Sequence, residues 1–319
     1  MELKYLDIHI IYSDKDKKYL STLLKGYKNF KIKNSVNNWK ISLNVHNNSG
    51  VNNIGQFQRR LEIIRNTPSG HYIWFVDGDD EIINSADLKG DTDNIDIYLF
   101  SHKMFCGNSK ETYEVETAFL DKNIIIEGYN TYSSKNAIYN QDKPMILSEI
   151  LGAALWNKWF KVDVWKNIYE YLKDMGYENI RPNASEDCFY VFYALKNTRK
   201  IFYSITSIYF YRNDRSLIFN ASRNFIKYKN FLNFRKGHKE ITEAILKLNI
   251  PELGDHFMYI DKVCHLEKAL LCLEIKKALQ NVVSEFGKED ILDILKNHSE
   301  DICIPHNTVK YLAYKYLTK

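Results

Sequence analysis

The chain carries, from residue 72 to residue 81, the stretch Tyr72-Ile73-Trp74-Phe75-Val76-Asp77-Gly78-Asp79-Asp80-Glu81, in which an apolar run ends abruptly in acids. Continuous apolar strands are typical of parallel sheets that are covered on both faces. Ligands of open α/β sheets bind beyond the carboxyl ends of such strands, so these acids are expected where a ligand would lie. Gly78 allows close approach of the backbone, and Asp77 and Asp79 are spaced to share one hard divalent cation. By itself, an Asp-x-Asp is more often a solvated turn.

The segments on both sides of this strand alternate between strand and helix patterns. The predicted strands are residues 6–12, 39–45, 72–77 and 95–103, and the predicted helices are residues 15–27 and 57–64. Such alternation predicts an α/β fold with a mostly parallel sheet flanked by helices. A helix at 162–175, a helix opened by Ser185-Glu186-Asp187 and a strand at 201–211 follow. Beyond about residue 222 helical periodicity runs almost throughout, including residues 257–286, which predicts a C-terminal helical appendage.

Composition and charge narrow the classes of function. The 319 residues are 45% hydrophobic and 26% charged, as in a globular chain with one large α/β domain and an appendage, or with two domains. A net charge of +4 is too small and too evenly spread to indicate a nucleic-acid partner. The five cysteines lie far apart without zinc-like spacing, and no signal-like start or uncharged apolar run of about 18 residues occurs. We therefore expect a cytoplasmic protein.

Three motifs occur in a suggestive order. The first is the glycine, apolar strand and acids from Gly70 to Asp80, and the second is Leu155-Trp156-Asn157-Lys158-Trp159-Phe160-Lys161. The third is Ser185-Glu186-Asp187, followed by Tyr209-Phe210-Tyr211-Arg212 and an Arg-x-x-x-Ser spacing that ends at Ser216. Together they resemble the family-two glycosyltransferases of the GT-A fold, in which an Asp-x-Asp-Asp turn, a segment before the acceptor-side helix and a Glu-Asp motif recur. The likeness covers residues 5–220.

This resemblance implies an overall organisation and an activity. It implies a GT-A domain over residues 1–221, with a nucleotide-sugar-binding half (1–103) and an acceptor half (104–221), before a helical region at 222–319. The implied enzyme is a metal-dependent, inverting hexosyltransferase that moves a sugar from UDP-hexose or UDP-N-acetylhexosamine to a hydroxyl in bacterial surface glycan synthesis. Its partners would be the nucleotide-sugar donor and a glycan or lipid-linked glycan acceptor. The C-terminal helices are candidates for peripheral contact with the inner face of the cell membrane or for a homo-oligomer interface, although packing against the catalytic domain is favoured.

The resemblance also implies roles for individual residues. Asp187 corresponds to the catalytic base, with Glu186 holding the base or the acceptor. Asp79, and Asp77 with it, would bind Mn²⁺ or Mg²⁺, because a divalent cation neutralises the charge that develops on a leaving diphosphate. The candidates for nucleotide-sugar binding are Tyr12, Asn47, Arg60, Asp77, Asp79, Arg212 and Ser216. The candidates for acceptor binding are Trp156, Asn157 and Lys158.

Two features of these residues set expectations for the site. Asn47 stands where the family has an acid that helps to read the nucleotide base, so an amide replaces that acid. Asp187 falls in the first turn of a predicted helix, where the helix dipole stabilises an anion and weakens a base. Burial against Trp156, Trp159 or Phe189 would raise its pKa again. Without Asp77 and Asp79 upstream, simple helix capping would explain Glu186 and Asp187 better.

Two alternatives stay open at this point. Phe75-Val76-Asp77-Gly78-Asp79 also resembles the strand and Asp-x-Asp of haloacid-dehalogenase-type phosphatases, although Asp80 replaces the usual glycine and the motif lies far from the N-terminus. The second alternative is a non-catalytic protein that binds carbohydrate or nucleotide sugar. Turnover of a nucleotide sugar distinguishes the enzyme from both alternatives.

Overall fold

A computed structural model of the chain describes residues 2–88, 94–107, 112–117, 123–127, 154–182, 186–212, 226–248, 251–298 and 307–318. The chain divides into two compact units. The first unit comprises Met1–Arg181 and Ser185–Arg215, and the second comprises Pro182–Ala184 and Ser216–Lys319. The division of residues 1–221 into a nucleotide half and an acceptor half stays a prediction.

The first unit is a sheet with helices. Its strands are β1 (Leu3–Tyr12), β2 (Ile32–Lys33), β3 (Asn38–Asn47), β4 (Tyr72–Asp77), β5 (Glu81–Ile82), β6 (Ala86–Asp87), β7 (Ile97–Gly107), β8 (Thr112–Thr117), β9 (Ile124–Glu127), β10 (Lys158–Lys161) and β11 (Lys200–Tyr211). Its helices are α1 (Leu20–Asn29), α2 (Gln56–Asn66), α3 (Ile168–Asp174) and α4 (Glu186–Asn197). Within the described residues, nine strands form one sheet in the order β3-β1-β4-β10-β7-β11-β5, with β8 paired to β7 and β9 to β11.

The long strands of this sheet run in one direction. β1 pairs in parallel with both β3 and β4, and β7 pairs in parallel with β11. The short β10 is antiparallel to β4 and to β7, so β4 and β7 also point the same way. The carboxyl ends of these strands therefore share one edge, which carries Tyr12, Asn47, Asp77 and Tyr211. The predicted α/β class with its mostly parallel sheet is confirmed.

The core beneath that edge is aromatic. All five residues of β4 before Asp77 are buried, as expected for a strand with neighbours on both sides. Trp74, Tyr98 and Trp159 are fully buried, and the ring of Trp159 lies 5.9 Å from that of Trp74 and 5.7 Å from that of Tyr98. Large aromatic side chains bury much apolar area and add ring–ring attraction. This packing fixes the strand that ends in the acidic turn.

Two predicted helices differ from the observed elements. The apolar pattern predicts one helix over residues 15–27, but α1 begins only at Leu20. The backbone N–H and the hydroxyl of Ser13 both donate to the carboxylate of Asp16, and such local bonds compete with helix formation. Residues 162–175 form a short 3₁₀ turn (Val162–Trp165) and then α3, because Asn167 adopts the left-handed conformation at φ +65°.

The second unit is helical in its described residues. Its helices are α5 (Tyr228–Leu246), α6 (Pro251–Leu270), α7 (Ile275–Phe286), α8 (Lys288–Asn297) and α9 (Asn307–Leu317). The segment 257–286, predicted as a single helical run, contains parts of two helices. Residues 271–274 between them are non-helical, and Cys272 forms an isolated β-bridge with Ile226. Among the helices described, none is long and apolar enough to span a lipid bilayer.

Candidate active site

The acidic turn after β4 places its three aspartates in different environments. The side chain of Asp77 is 27% exposed, Asp79 is partly buried and Asp80 is 1% exposed. Asp80 accepts hydrogen bonds from the Tyr209 hydroxyl (2.6 Å) and from the backbone N–H of Arg212 (2.6 Å). Burial, together with the nearby charges of Asp77 and Asp79, raises the pKa of Asp80 well above its ordinary value. Asp80 therefore ties the turn to the end of β11.

Gly78 lets this turn lie directly against β1. A Cβ atom on Gly78 would lie 2.4 Å from the Cβ of Tyr12 and 2.9 Å from its Cα, which is closer than real atoms approach. The Gly78 N–H donates to the Ile11 carbonyl at 3.0 Å. The close approach of the two backbones therefore requires a glycine between Asp77 and Asp79.

Arg60 lies at the centre of a group of carboxylates. It belongs to α2 and is 2% exposed, on the same helix face as the buried Phe57 and Ile64. Its Nη2 atom lies 3.5 Å from Oδ1 of Asp77. Its Nη1 atom contacts Asp187 and lies 3.7 Å from Oε1 of Glu186. One guanidinium thereby joins the end of β4 to the start of α4.

Burial sets the acidity of these carboxyl groups. Burial raises the pKa of Asp187 from 3.8 to about 6, although the positive charges of Arg60 and Lys158 work in the opposite direction. Burial likewise raises the pKa of Asp77 to about 6 against the effect of Arg60, and it raises the pKa of Glu186. Burial therefore outweighs the helix-terminal position of Asp187. Its side chain remains 25% exposed, so another molecule can reach it.

The remaining candidates for nucleotide-sugar binding lie along the carboxyl edge. Tyr12 is partly buried, Asn47 is exposed, and the two are register partners at the ends of β1 and β3. Arg212 directly follows β11, and its guanidinium lies 3.3 Å from the carboxylate of Glu81. Ser216, like Ser185 of the third motif, lies outside the described residues. The binding roles of all these residues stay predictions.

The acceptor candidates lie at the start of β10. The ring of Trp156 stacks nearly parallel on Tyr209 at 4.8 Å and on Tyr211 at 5.1 Å. Asn157 is fully buried and Lys158 is 1% exposed. The Lys158 ammonium donates to the Ala154 carbonyl (2.6 Å) and to Oδ1 of Asn157 (2.8 Å). Lys158 acts on Asp187 through its charge, and direct contact of this segment with an acceptor stays a prediction.

Sequence reasoning missed two contributions to this arrangement. The motif that contains Tyr209 predicts no role for this residue, yet its hydroxyl accepts a hydrogen bond from the Asp77 N–H (3.2 Å) and donates one to Asp80. The predicted role of Arg60 in nucleotide-sugar binding stays a prediction, and the structure adds its contacts with Asp77, Glu186 and Asp187. A signal for this was present, because Arg60 occupies a position on the apolar face of α2. Arginine is rarely buried without a counter-charge.

Comparison with known proteins gives similarity at the level of structure. The chain matches no protein-family model and no curated protein. It is similar to the solved structure of S. aureus TarS 1-349 in complex with UDP-GlcNAc, with a TM-score of 0.55 and 14% identity over 98% of this chain and 90% of that chain. The chain has the GT-A fold.

Further TarS structures are also similar to this chain. TarS 1-349 in complex with UDP gives a TM-score of 0.49 and 14% identity over 98% of this chain and 90% of that chain. A longer TarS structure gives a TM-score of 0.49 and 14% identity, with 98% of this chain and 54% of that chain covered. The three sequence motifs imply a GT-A fold, and the similarity to the TarS structure with UDP-GlcNAc confirms it.

Proposed function

We propose that the protein is a glycosyltransferase that moves a sugar from a nucleotide diphosphate to an acceptor hydroxyl. The observation that carries this proposal is the meeting of Asp77 and Asp187 on Arg60 at the carboxyl edge of the sheet. Ligands of open α/β sheets bind at that edge. The GT-A fold counts against the haloacid-dehalogenase-type alternative, because the likeness extends over 98% of this chain.

The donor that we propose is UDP-hexose or UDP-N-acetylhexosamine, used in bacterial surface glycan synthesis. The similar TarS structure contains UDP-GlcNAc, which supports a uridine donor. Tyr12 and Asn47 lie side by side at the ends of β1 and β3, next to the turn that carries Asp77 and Asp79. The nucleotide would lie along these strand ends, with its diphosphate toward the acids.

Asp187 is the proposed catalytic base. The acceptor oxygen forms a bond to the anomeric carbon while the bond from that carbon to the diphosphate breaks, and the hydroxyl proton passes to the Asp187 carboxylate. A base is most effective when its pKa lies near the working pH, and a pKa of about 6 leaves Asp187 mainly ionised at neutral pH. Attack from the side opposite the diphosphate inverts the anomeric configuration. Glu186, 3.7 Å from the same guanidinium, would help to hold the base in place.

Asp79 and Asp77 are the proposed ligands of Mn²⁺ or Mg²⁺. Their carboxylate oxygens are the hard donors that these ions prefer, and both side chains are partly accessible. Asp80 is not proposed as a ligand, because its carboxylate accepts hydrogen bonds from Tyr209 and Arg212. When bound, such a cation supplies positive charge beside the leaving diphosphate. Asp77 also keeps one oxygen near Arg60, so this guanidinium holds the carboxylate in place.

The decisive experiment combines a turnover assay with Asp187→Asn. We expect the wild-type protein to transfer or slowly hydrolyse a nucleotide sugar in a screen of uridine and other donors. The variant should bind UDP normally but lose about 10²- to 10⁴-fold in turnover, the range of a general base. Asp174→Asn is the control, because Asp174 is an exposed acid at the end of α3.

Each other outcome of this screen counts against the proposal. Near-normal turnover by Asp187→Asn would exclude Asp187 as the base. Binding of UDP without any turnover would indicate the non-catalytic binding protein. Release of phosphate from simple phosphate esters would indicate the phosphatase.

A further inference from the structure

Two histidines and an aspartate meet inside the second unit. His238 of α5 is 0% exposed, His265 of α6 is 1% exposed and Asp261 of α6 is 5% exposed. Asp261 and His265 are four residues apart and therefore project from the same face of α6. One nitrogen or oxygen atom from each of the three side chains lies within 4.8 Å of the others. The cluster belongs to the helical unit, whereas the candidate active site belongs to the first unit.

The contacts in this cluster orient the donor atoms. His265 Nδ1 lies 2.9 Å from the main-chain oxygen of Asp261 and 3.2 Å from its Oδ1, and His238 Nδ1 contacts the same Oδ1. A proton on Nδ1 of His265 satisfies the main-chain oxygen and leaves a lone pair on Nε2. That Nε2 atom is buried and has no hydrogen-bond partner within the described part of the chain. Buried polar atoms normally have a partner, so a ligand is expected.

The surroundings of the cluster are apolar. The ring of Phe234 lies 5.2 Å from that of His238 and 5.4 Å from that of His265, and Phe286 lies 5.2 Å from His265. Asp261 is 5% exposed within this shell, and its carboxylate contacts both imidazoles. Arg235 is a nearby cation, and its guanidinium is hydrogen-bonded to Glu285 and Asn281.

We propose that His238, Asp261 and His265 bind one divalent transition-metal ion, with Zn²⁺ preferred, and that this ion cross-links α5 to α6. Two imidazoles and one carboxylate suit zinc, which accepts nitrogen and oxygen ligands in a four-coordinate site. Mg²⁺ and Ca²⁺ prefer oxygen ligands alone. In metal-binding histidines, a main-chain oxygen that accepts a hydrogen bond from Nδ1 commonly fixes the tautomer, as the Asp261 oxygen does for His265. The proposal is independent of the glycosyltransferase activity.

The test uses the full chain after chelator treatment and dialysis. Asp79→Ala serves as the background, so that the acidic turn of the first unit contributes no second metal. Calorimetric titration with Zn²⁺ should give one equivalent bound, and Co²⁺ should give the visible absorption of four-coordinate cobalt. Zinc should also raise the melting temperature of the helical unit, because an ion that binds only the folded state stabilises it.

Variants of the histidines locate the site. His238→Gln and His265→Gln should each weaken zinc binding by more than about tenfold, since even supporting residues of metal sites contribute that much. The control is His298→Gln, because the His298 side chain is 47% exposed in the same unit. Absence of stoichiometric Zn²⁺ and Co²⁺ binding by the folded background protein would overturn the proposal and leave a buried hydrogen-bonded cluster. That measurement decides the question even if the histidine variants fail to fold. Equal zinc affinity in His265→Gln and His298→Gln would overturn it as well.

Discussion

Arg60→Gln tests how the carboxylates of the candidate active site are held together. Arg60 is 2% exposed and lies close to Asp77, Glu186 and Asp187. Even with Arg60 present, the pKa values of Asp77 and Asp187 are raised from 3.8 to about 6. The ionised form of each group therefore costs roughly 3 kcal/mol more in the folded protein than in water. Removing the guanidinium leaves these acids without the charge that opposes this shift. Loss of one partner from a buried ion pair costs about 3–5 kcal/mol, and we expect a loss of this size in the free energy of unfolding.

The loss in the free energy of unfolding of Arg60→Gln should depend on pH. The direction of this dependence follows from proton binding by the acids. Acids whose pKa is raised in the folded state bind protons there that the unfolded chain has already released, so their effect on stability becomes less favourable as pH rises from about 4 to 6. Without Arg60 the pKa values of Asp77 and Asp187 in the folded protein rise further, so the pH range over which stability falls extends to higher pH. The variant should therefore lose the full amount at pH 8 and clearly less at pH 5, where the acids can take up protons.

Urea unfolding followed by tryptophan fluorescence measures this loss in the right unit, because all five tryptophans belong to the first unit. Arg59→Gln is the matched control on the same helix. Arg59 pairs at 2.6 Å with Glu62; the two side chains are 17% and 50% exposed, and a pair that is this open to solvent contributes only about 1 kcal/mol. Equal losses in the two variants, or an Arg60→Gln loss that is the same at pH 5 and pH 8, would refute this reasoning.

Three further predictions concern the strand end and its acids. Turnover should rise with pH through about 6 and then level off, because the pKa of Asp187 is about 6 and only its ionised form accepts a proton; a rate that is constant from pH 5 to pH 8 would contradict this. Gly78→Ala should lower the stability of the first unit by about 1–3 kcal/mol in the same urea assay, because its Cβ would lie 2.4 Å from Tyr12, and an unchanged transition would show that the turn adapts. Asp79→Ala should abolish the Mn²⁺-dependent part of UDP binding measured by calorimetry, and undiminished binding would count against Asp79 as a ligand.

The elements whose signals are local were predictable from the sequence. The apolar run from Tyr72 to Val76 is buried along its whole length, and the acids that end it fall at the carboxyl edge, as the pattern indicated. The start of α1 was not predictable in this way. A turn between Ser13 and Asp16, stabilised by side-chain bonds to the backbone, displaced it to Leu20, although the apolar periodicity already begins before that residue.

The pairings that build the site could not be read from local patterns. Arg60 and Asp187 are 127 residues apart, and only the packing of α4 near α2 brings them together. The apolar face of α2 does reveal that Arg60 is buried, but periodicity does not say which acids surround it. The same limit applies to the proposed zinc site. The spacing of Asp261 and His265 is visible in the sequence, whereas the contribution of His238 depends on how α5 packs on α6.

Arg60 couples the two sides of the proposed reaction through charge. In the proposed reaction Asp77 is on the donor side and Asp187 on the acceptor side; in the structure both lie against the same guanidinium. The negative charge of Asp187 is among the causes that raise the pKa of Asp77. When Asp187 accepts the acceptor's proton, that repulsion falls and more of the positive charge of Arg60 remains for Asp77 and the departing diphosphate. Proton capture on one side thus favours charge development on the other, so Arg60→Gln should lower turnover more than it lowers donor affinity.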